Sequence, residues 1–182
     1  PAIENTDSYL KLNWGNETAT GSSALEFIIK PHKSTGTQII AENILSSSGH
    51  SRSNSDNIGW DLLLEPSASS DTYGRLTFRL NNSADASASI QNIDNRVSMS
   101  TDYLDMKGGT KYWNVVLQKE TNGYDITDVH DYKLITGRLY GDKIKNLSTA
   151  SLSVDGDTDS ITNKNFISGS STQNLHLVRF FS

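Results

Sequence analysis

Apolar and polar residues alternate with a period of two along most of this chain, and no long stretch carries the 3.6-residue period of an amphipathic helix. Ser8-Tyr9-Leu10-Lys11-Leu12-Asn13-Trp14 alternates and predicts a strand with one buried face. Leu25 to Lys30 predicts a second, closed by Pro31, which cannot donate to a ladder. Gln38 to Ile44 and Ile58 to Glu65 follow, separated by the polar run Ser46 to Ser55. Tyr73 to Leu80 alternates cleanly, with Leu76, Phe78 and Leu80 on one face and Arg75, Thr77 and Arg79 on the other. Ala86 to Ile93 and Arg96 to Ser100 are weaker strand candidates. Lys111 to Lys119 is the strongest, and Gly108-Gly109 before it reads as a tight turn. Asp131–Tyr140, Leu147–Val154, Asn163–Ile167 and Leu175–Phe181 complete the series.

Many short strands between Gly, Asn, Asp and Ser turns predict an all-β, antiparallel two-sheet β-sandwich of the jelly-roll kind. No Pro-rich or charged linker and no internal repeat divides the 182 residues, so one domain is expected. The closing Leu175-His176-Leu177-Val178-Arg179-Phe180-Phe181-Ser182 stops in an apolar run, which suggests an excerpt of a longer chain. Pro1 reads either as a start exposed by removal of an initiator Met or as such a cut. Pro1 to Ser8 lacks the basic and apolar blocks of a signal peptide.

The surface chemistry is that of uncharged polar residues. Ser, Thr and Asn make up 58 of 182 residues, while charged residues are only 20% and the formal charge is −5. A nucleic-acid binder carries a concentrated basic patch, and none is visible, so no nucleic-acid partner is expected. No run reaches 18 apolar residues, so no membrane insertion is expected. The absence of Cys removes disulfides, zinc–thiolate sites and thiol nucleophiles together, and tilts the source towards bacteria or viruses. Such a coat suits an exposed structural or adhesive module that stays folded in varied media, although plain solubility explains it as well.

In the order of its strands the chain resembles the concanavalin A-like jelly roll, and within it the laminin-G-like modules. The resemblance is carried by Leu25-Glu26-Phe27-Ile28-Ile29-Lys30-Pro31, Gln38-Ile39-Ile40, Gly59-Trp60-Asp61-Leu62-Leu63-Leu64, Gly74-Arg75-Leu76-Thr77-Phe78-Arg79-Leu80 and Tyr112-Trp113-Asn114-Val115-Val116-Leu117. Leu177-Val178-Arg179-Phe180-Phe181 stands where those modules place their last core strand. The hairpin motif of the family is loosely echoed by Leu139-Tyr140-Gly141-Asp142, and its calcium ligands have no clear counterpart. The style of the chain looks most like such domains of bacteriophage virions, as capsid decorations or parts of tails and fibres. The resemblance therefore implies other virion subunits or a host-surface glycan as partners, membership of an oligomeric assembly, and a virion or otherwise extracellular location. A carbohydrate-binding module of a secreted bacterial protein is the alternative.

Several constellations carry candidate chemistry. Asp155, Asp157 and Asp159 alternate in Asp-Gly-Asp-Thr-Asp, and oxygen ligands so spaced could surround Ca²⁺, which takes six to eight. The helix–loop–helix calcium loop would need Gly and Glu where Ser160 and Phe166 stand, and a solvated hairpin turn explains the acids equally well, so no cofactor is assigned. Glucanases of this jelly roll set acids at i, i+2 and i+4 on one strand, which no strand here does. Asp61 and Glu65 share a strand face but stand about 13 Å apart at ~3.3 Å per residue, too far to share one glycosidic bond, so no enzyme is expected. His32, His50, His130 and His176 lack metal-ligand spacing and read as loop or surface residues. Trp14, Trp60 and Trp113 fall inside strands and read as core. Tyr73, Tyr103, Tyr124 and Tyr132 lie nearer loops and are the candidates for a glycan-binding rim, since the apolar face of a sugar stacks on an aromatic ring. The loops Ser46–Asn57, Ser67–Thr72 and Thr121–Asp131 are the expected carriers of binding. Sequons at Asn16, Asn81 and Asn146 are no more frequent than this composition yields by chance.

Overall fold

The computed structural model describes residues 10–13, 22–32, 35–44, 58–82, 90–121, 128–155, 166 and 174–177. Ten strands occupy most of them: β1 (Leu10–Asn13), β2 (Ser23–Ile29), β3 (Gln38–Ile44), β4 (Ile58–Ser67), β5 (Ser70–Asn81), β6 (Arg96–Ser100), β7 (Trp113–Thr121), β8 (Val129–Tyr140), β9 (Lys143–Asp155) and β10 (Asn174–Leu177). They form a six-stranded sheet in the order β1-β10-β3-β4-β5-β6 and a four-stranded sheet in the order β2-β7-β8-β9. Every pairing is antiparallel. The protein is thus an all-β, two-sheet antiparallel sandwich, an arrangement compatible with a jelly roll. Among the described residues no helix is long and apolar enough to cross a membrane.

The alternation places the core. Trp60, Leu62 and Leu64 of β4 and Leu76, Phe78 and Leu80 of β5 point inward, opposite Trp113, Val115 and Leu117 of β7 and Tyr132 and Leu134 of β8. Phe166 enters this layer and stacks on Trp60 with ring centroids 5.7 Å apart and planes 19° apart. It also meets Tyr132 edge-on at 5.1 Å. Its carbonyl accepts from the Trp60 indole Nε1 at 3.2 Å and from Asn43 Nδ2 at 3.4 Å, so two buried donors of the six-stranded sheet end on one backbone oxygen. Trp60, Phe78, Tyr132 and Phe166 add ring contacts to the area they bury.

Two hairpins join neighbouring strands, each with an irregularity close to its turn. Between β4 and β5 the chain reverses over Ala68-Ser69, with Ser67 Oγ accepting from the Ser69 amide at 3.2 Å. The ladder is irregular just beyond this turn: Ser67 pairs with Ser70 but Pro66 with Gly74, so Asp71–Tyr73 have no partner on β4. Between β8 and β9 the chain reverses over Gly141-Asp142, and Gly141 takes φ 59°, as the first loop position of a type II′ turn requires. Nearby, Asn146 takes φ 53° in a bulge where Asn146 and Leu147 of β9 stand opposite the single Gly137 of β8.

The weak strand expected over Ala86–Ile93 is not a strand where it is described. Ile90 and Gln91 turn, and Ile93–Asn95 form one turn of 3₁₀ helix. Asn92 caps it by accepting from the Asp94 amide at 3.1 Å, an instance of an Asn side chain outbidding the ladder for a backbone donor. The expected strands at Leu175–Phe181 and Asn163–Ile167 lie largely outside the described residues, as do Tyr9, Trp14, His50, Tyr124, Asp157, Asp159, Asn16 and the loop Ser46–Asn57. Of Thr121–Asp131, residues 122–127 lie outside them as well.

Candidate functional site

The outer face of the six-stranded sheet carries the charged half of the β4–β5 alternation. Asp61 pairs in register with Arg79, and Glu65 with Arg75, so two acids four residues apart on β4 meet two arginines four residues apart on β5. Opposite charges directly across an antiparallel pair reinforce its register. At the centre Arg79 holds both oxygens of Asp61, Nε to Oδ1 at 2.7 Å and Nη2 to Oδ2, and both side chains are almost wholly buried. Arg79 Nη1 also donates to Gln91 Oε1 at 3.2 Å, and Arg96 Nη1 donates to the Ile90 and Gln91 carbonyls, so the 90–91 turn lies against this face.

A carboxylate pair escapes any reading of β4 alone. Glu42 of β3 stands opposite Asp61 in register, on the same outer face. Directly opposed side chains lie about 5 Å apart at Cβ, the separation of a retaining glycosidase pair. Here, however, Asp61 is 0% and Glu42 8% exposed, and Arg79 occupies both Asp61 oxygens. A substrate could not reach the pair without breaking a buried ion pair. This row holds the sheet together.

Towards the other end of β5 the same face opens to solvent. Tyr73 and Arg75 follow Thr77 along the outer face by the two-residue period. Gly74 forms an isolated antiparallel bridge with Leu104, its amide donating to the Leu104 carbonyl at 2.9 Å and its carbonyl accepting from the Leu104 amide at 2.8 Å. The bridge brings Tyr103 opposite Arg75, whose guanidinium carbon lies 5.2 Å from the Tyr103 ring centroid. Gly74 is required there. A Cβ on it would stand 2.9 Å from Leu64 Cδ1, 3.0 Å from the Glu65 carbonyl oxygen and 3.0 Å from Lys107 Cδ.

The result is a ledge with two tyrosine rings, each 43% exposed, flanking an arginine–glutamate pair. Arg75 Nε donates to Glu65 Oε2 at 3.0 Å, and Thr77 Oγ1 donates to the same oxygen at 2.7 Å. Ser100 Oγ of β6 lies 3.0 Å from Thr77 Oγ1 and extends the chain across a third strand. Among the described residues, Glu65 Oε1 and both terminal nitrogens of Arg75 have no hydrogen-bond partner. The ledge can therefore stack a ring, donate from a planar fork and accept at a carboxylate oxygen.

The four rim tyrosines of the sequence reading separate sharply. Tyr73 and Tyr103, thirty positions apart, stand on segments joined by the Gly74–Leu104 bridge, whereas Tyr124 lies outside the described residues. Tyr132 is corrected outright: it is 0% exposed, with its ring centroid 5.9 Å from that of Phe78. The reason is parity. Tyr132 stands inside β8, and parity with Leu134 points it into the core. His130 shares that inward face and is also 0% exposed, not a loop or surface residue. Trp60 and Trp113 are core residues as expected. Asp155, the first of the three candidate calcium ligands, is exposed at the end of β9, and Asp157 and Asp159 lie outside the described residues. Among the described residues no three His, Cys, Asp or Glu side chains gather as a metal site.

Other surfaces offer less. Tyr112 and Tyr140 are exposed, but each faces only cations: Lys30 at 5.4 Å for Tyr112, and Arg138 at 4.1 Å and Lys145 at 5.2 Å for Tyr140. A depression on the outer face of the four-stranded sheet is lined by Glu120, Asp131, Lys133 and Ser151, with no exposed ring. Glu120 and Asp131 there already accept from Gln118 and Ser153. Of the sequons, Asn81 is buried with Nδ2 donating to the Ile58 carbonyl at 3.3 Å. No protein-family model, curated protein or solved structure matches the chain.

Proposed function

We propose that this chain is a non-enzymatic, adhesive β-sandwich module of a virion, as a capsid decoration or a tail or fibre component, and that it contacts host-surface glycans through the Tyr73–Arg75–Tyr103 ledge. The observation that carries the reading is an arginine–glutamate pair with the half-exposed Tyr103 ring against its arginine and the half-exposed Tyr73 two residues away along the same strand. Rings supply an apolar platform for a sugar face, and the ion pair supplies fixed donors and an acceptor for its hydroxyls. The most enclosed acids support a non-catalytic role, since Arg79 occupies Asp61 and burial closes Glu42.

The family placement, a concanavalin A-like jelly roll with laminin-G-like strand order, belongs to the same proposal, as does assembly with other virion subunits. Its support is the two-sheet architecture, the strand order in sequence, the absence of Cys and the Ser/Thr/Asn coat. Fold alone does not specify function, so the ledge and not the sandwich bears the argument.

The test is a glycan array probed with the native chain, with Tyr73→Ala and with Tyr103→Ala. Saturable binding that both variants lose supports the reading. Binding retained by both would move the site elsewhere. Electron microscopy of the native source separates the virion from the alternative, a carbohydrate-binding module of a secreted bacterial protein: the first predicts particles with many ordered copies, the second a free module.

A further inference from the structure

The ledge also says what kind of sugar it would take. We infer, on the reading of the ledge as a glycan site, that its ligand is a neutral hexopyranose presenting two adjacent hydroxyls, and not an acidic sugar. The argument is one of charge and valence. A site for a carboxylate or sulfate presents arginine without a competing anion, because the planar fork is then free to meet the ligand's two oxygens. Here Arg75 already spends Nε on Glu65 Oε2.

Every other charge beside the ledge is balanced or negative. Asp71 at the start of β5 interacts with Lys107. Asp105, next to the bridging Leu104, is paired with Lys111. Asp102, next to Tyr103 in sequence, is turned towards β9, where it accepts from Ser148 Oγ at 3.1 Å. Among the described residues the neighbourhood therefore carries no surplus positive charge, and an anionic ligand would meet Glu65.

What remains open fits a diol. A hydroxyl both donates and accepts. One sugar hydroxyl can donate to Glu65 Oε1 while the same oxygen, or its neighbour, accepts from the Arg75 terminal nitrogens. Thr77 and Ser100 hold the far side of the carboxylate, so Glu65 is set before the ligand arrives. The Tyr73 and Tyr103 rings, each 43% exposed, then have room to take the apolar face of the pyranose. Because the ligand is uncharged, its affinity hardly depends on ionic strength, whereas a charge-driven contact weakens as salt screens it.

The experiment immobilises neutral oligosaccharides of glucose, galactose and mannose beside sialylated, uronate-containing and sulfated ones, and probes them with the native chain at low and high salt. Salt-insensitive binding to a neutral member, weakened about tenfold or more by Tyr103→Ala and abolished by Glu65→Ala, is the expected result; tenfold corresponds to the loss of one good ring contact. Thermal unfolding of each variant establishes that the ledge, not the fold, was altered, and Tyr73→Ala, at an exposed position, serves as the second variant. Salt-sensitive binding to the acidic members alone, lost in the same variants, would overturn the neutral-sugar inference and leave the glycan ledge standing. Failure to bind either class, or binding indifferent to Tyr73→Ala and Tyr103→Ala, would overturn both.

Discussion

Lys119 is the side chain whose place in the fold has the clearest consequence for stability. It lies on the inward face of β7 and is 0% exposed. It faces Tyr132 in register, and its ammonium lies 5.9 Å from the Phe166 ring centroid. Burial disfavours the charged form and lowers its pKa from 10.5 to about 8. Between those values the unfolded chain carries a proton that the folded chain has released. Stability therefore rises with pH across that window; the penalty is complete below about pH 8 and gone above 10.5. At 1.36 kcal/mol per pH unit the whole penalty is at most about 3 kcal/mol. Lys107, also lowered by burial, acts in the same direction. Tyr132 acts in the opposite one, because burial raises its phenol: from about pH 10 the unfolded chain ionises first and stability falls. The folded protein should therefore gain stability from pH 8 to about 10 and lose it beyond. Lys119→Met keeps the length of the side chain and removes its charge, so it should stabilise the protein at pH 7 by up to about 3 kcal/mol. With a urea slope of about 2 kcal/mol/M, the midpoint rises by up to roughly 1.5 M. Urea unfolding followed by the fluorescence of the buried Trp60 and Trp113 at a series of pH values measures both effects. A wild-type midpoint that stays flat or falls between pH 8 and 10, together with no gain in Lys119→Met at pH 7, would refute the reasoning.

Three further outcomes follow from the packing. Arg79→Met leaves Asp61 buried without its guanidinium and should cost about 3–5 kcal/mol in equilibrium unfolding, whereas the double change Asp61→Leu/Arg79→Met should recover most of it; equal losses in both would show that the pair is not the source. Gly74→Ala must displace Leu64, the Glu65 carbonyl or Lys107 and should cost about 1–3 kcal/mol. By loosening the Leu104 bridge it should also weaken glycan binding at the ledge, which the same array reads. Phe166→Ala opens a cavity beside Trp60, Phe78 and Tyr132 and should cost about 3–5 kcal/mol, with a red shift of tryptophan emission as water approaches Trp60.

Strand faces are legible from residues alone, because alternation is local: each side chain's direction depends on its parity along the strand, not on what lies opposite. Leu76, Phe78 and Leu80 inward with Arg75, Thr77 and Arg79 outward needs only the residues of β5. The placement of Trp60 and Trp113 follows in the same way, and so does the all-β class. Tyr132 shows how that reasoning is misapplied: it lies inside the expected strand with the parity of Leu134, and nearness to a loop does not outweigh that parity. The run near Ile93 fails for a second reason, since Asn92 bonds its own backbone and forms a turn instead of joining a ladder. The pairings are another matter. Which acid meets which arginine depends on the unpaired residues Asp71–Tyr73 that follow the turn at Ala68-Ser69, and the facing of Glu42 and Asp61 depends on how β3 comes to lie beside β4. The ledge depends on the Gly74–Leu104 bridge, a long-range contact whose only local trace is a glycine inside an otherwise continuous strand. Individual side chains announce their face, but a site is a set of distances between strands, and those distances exist only once the sheets have closed on their common core.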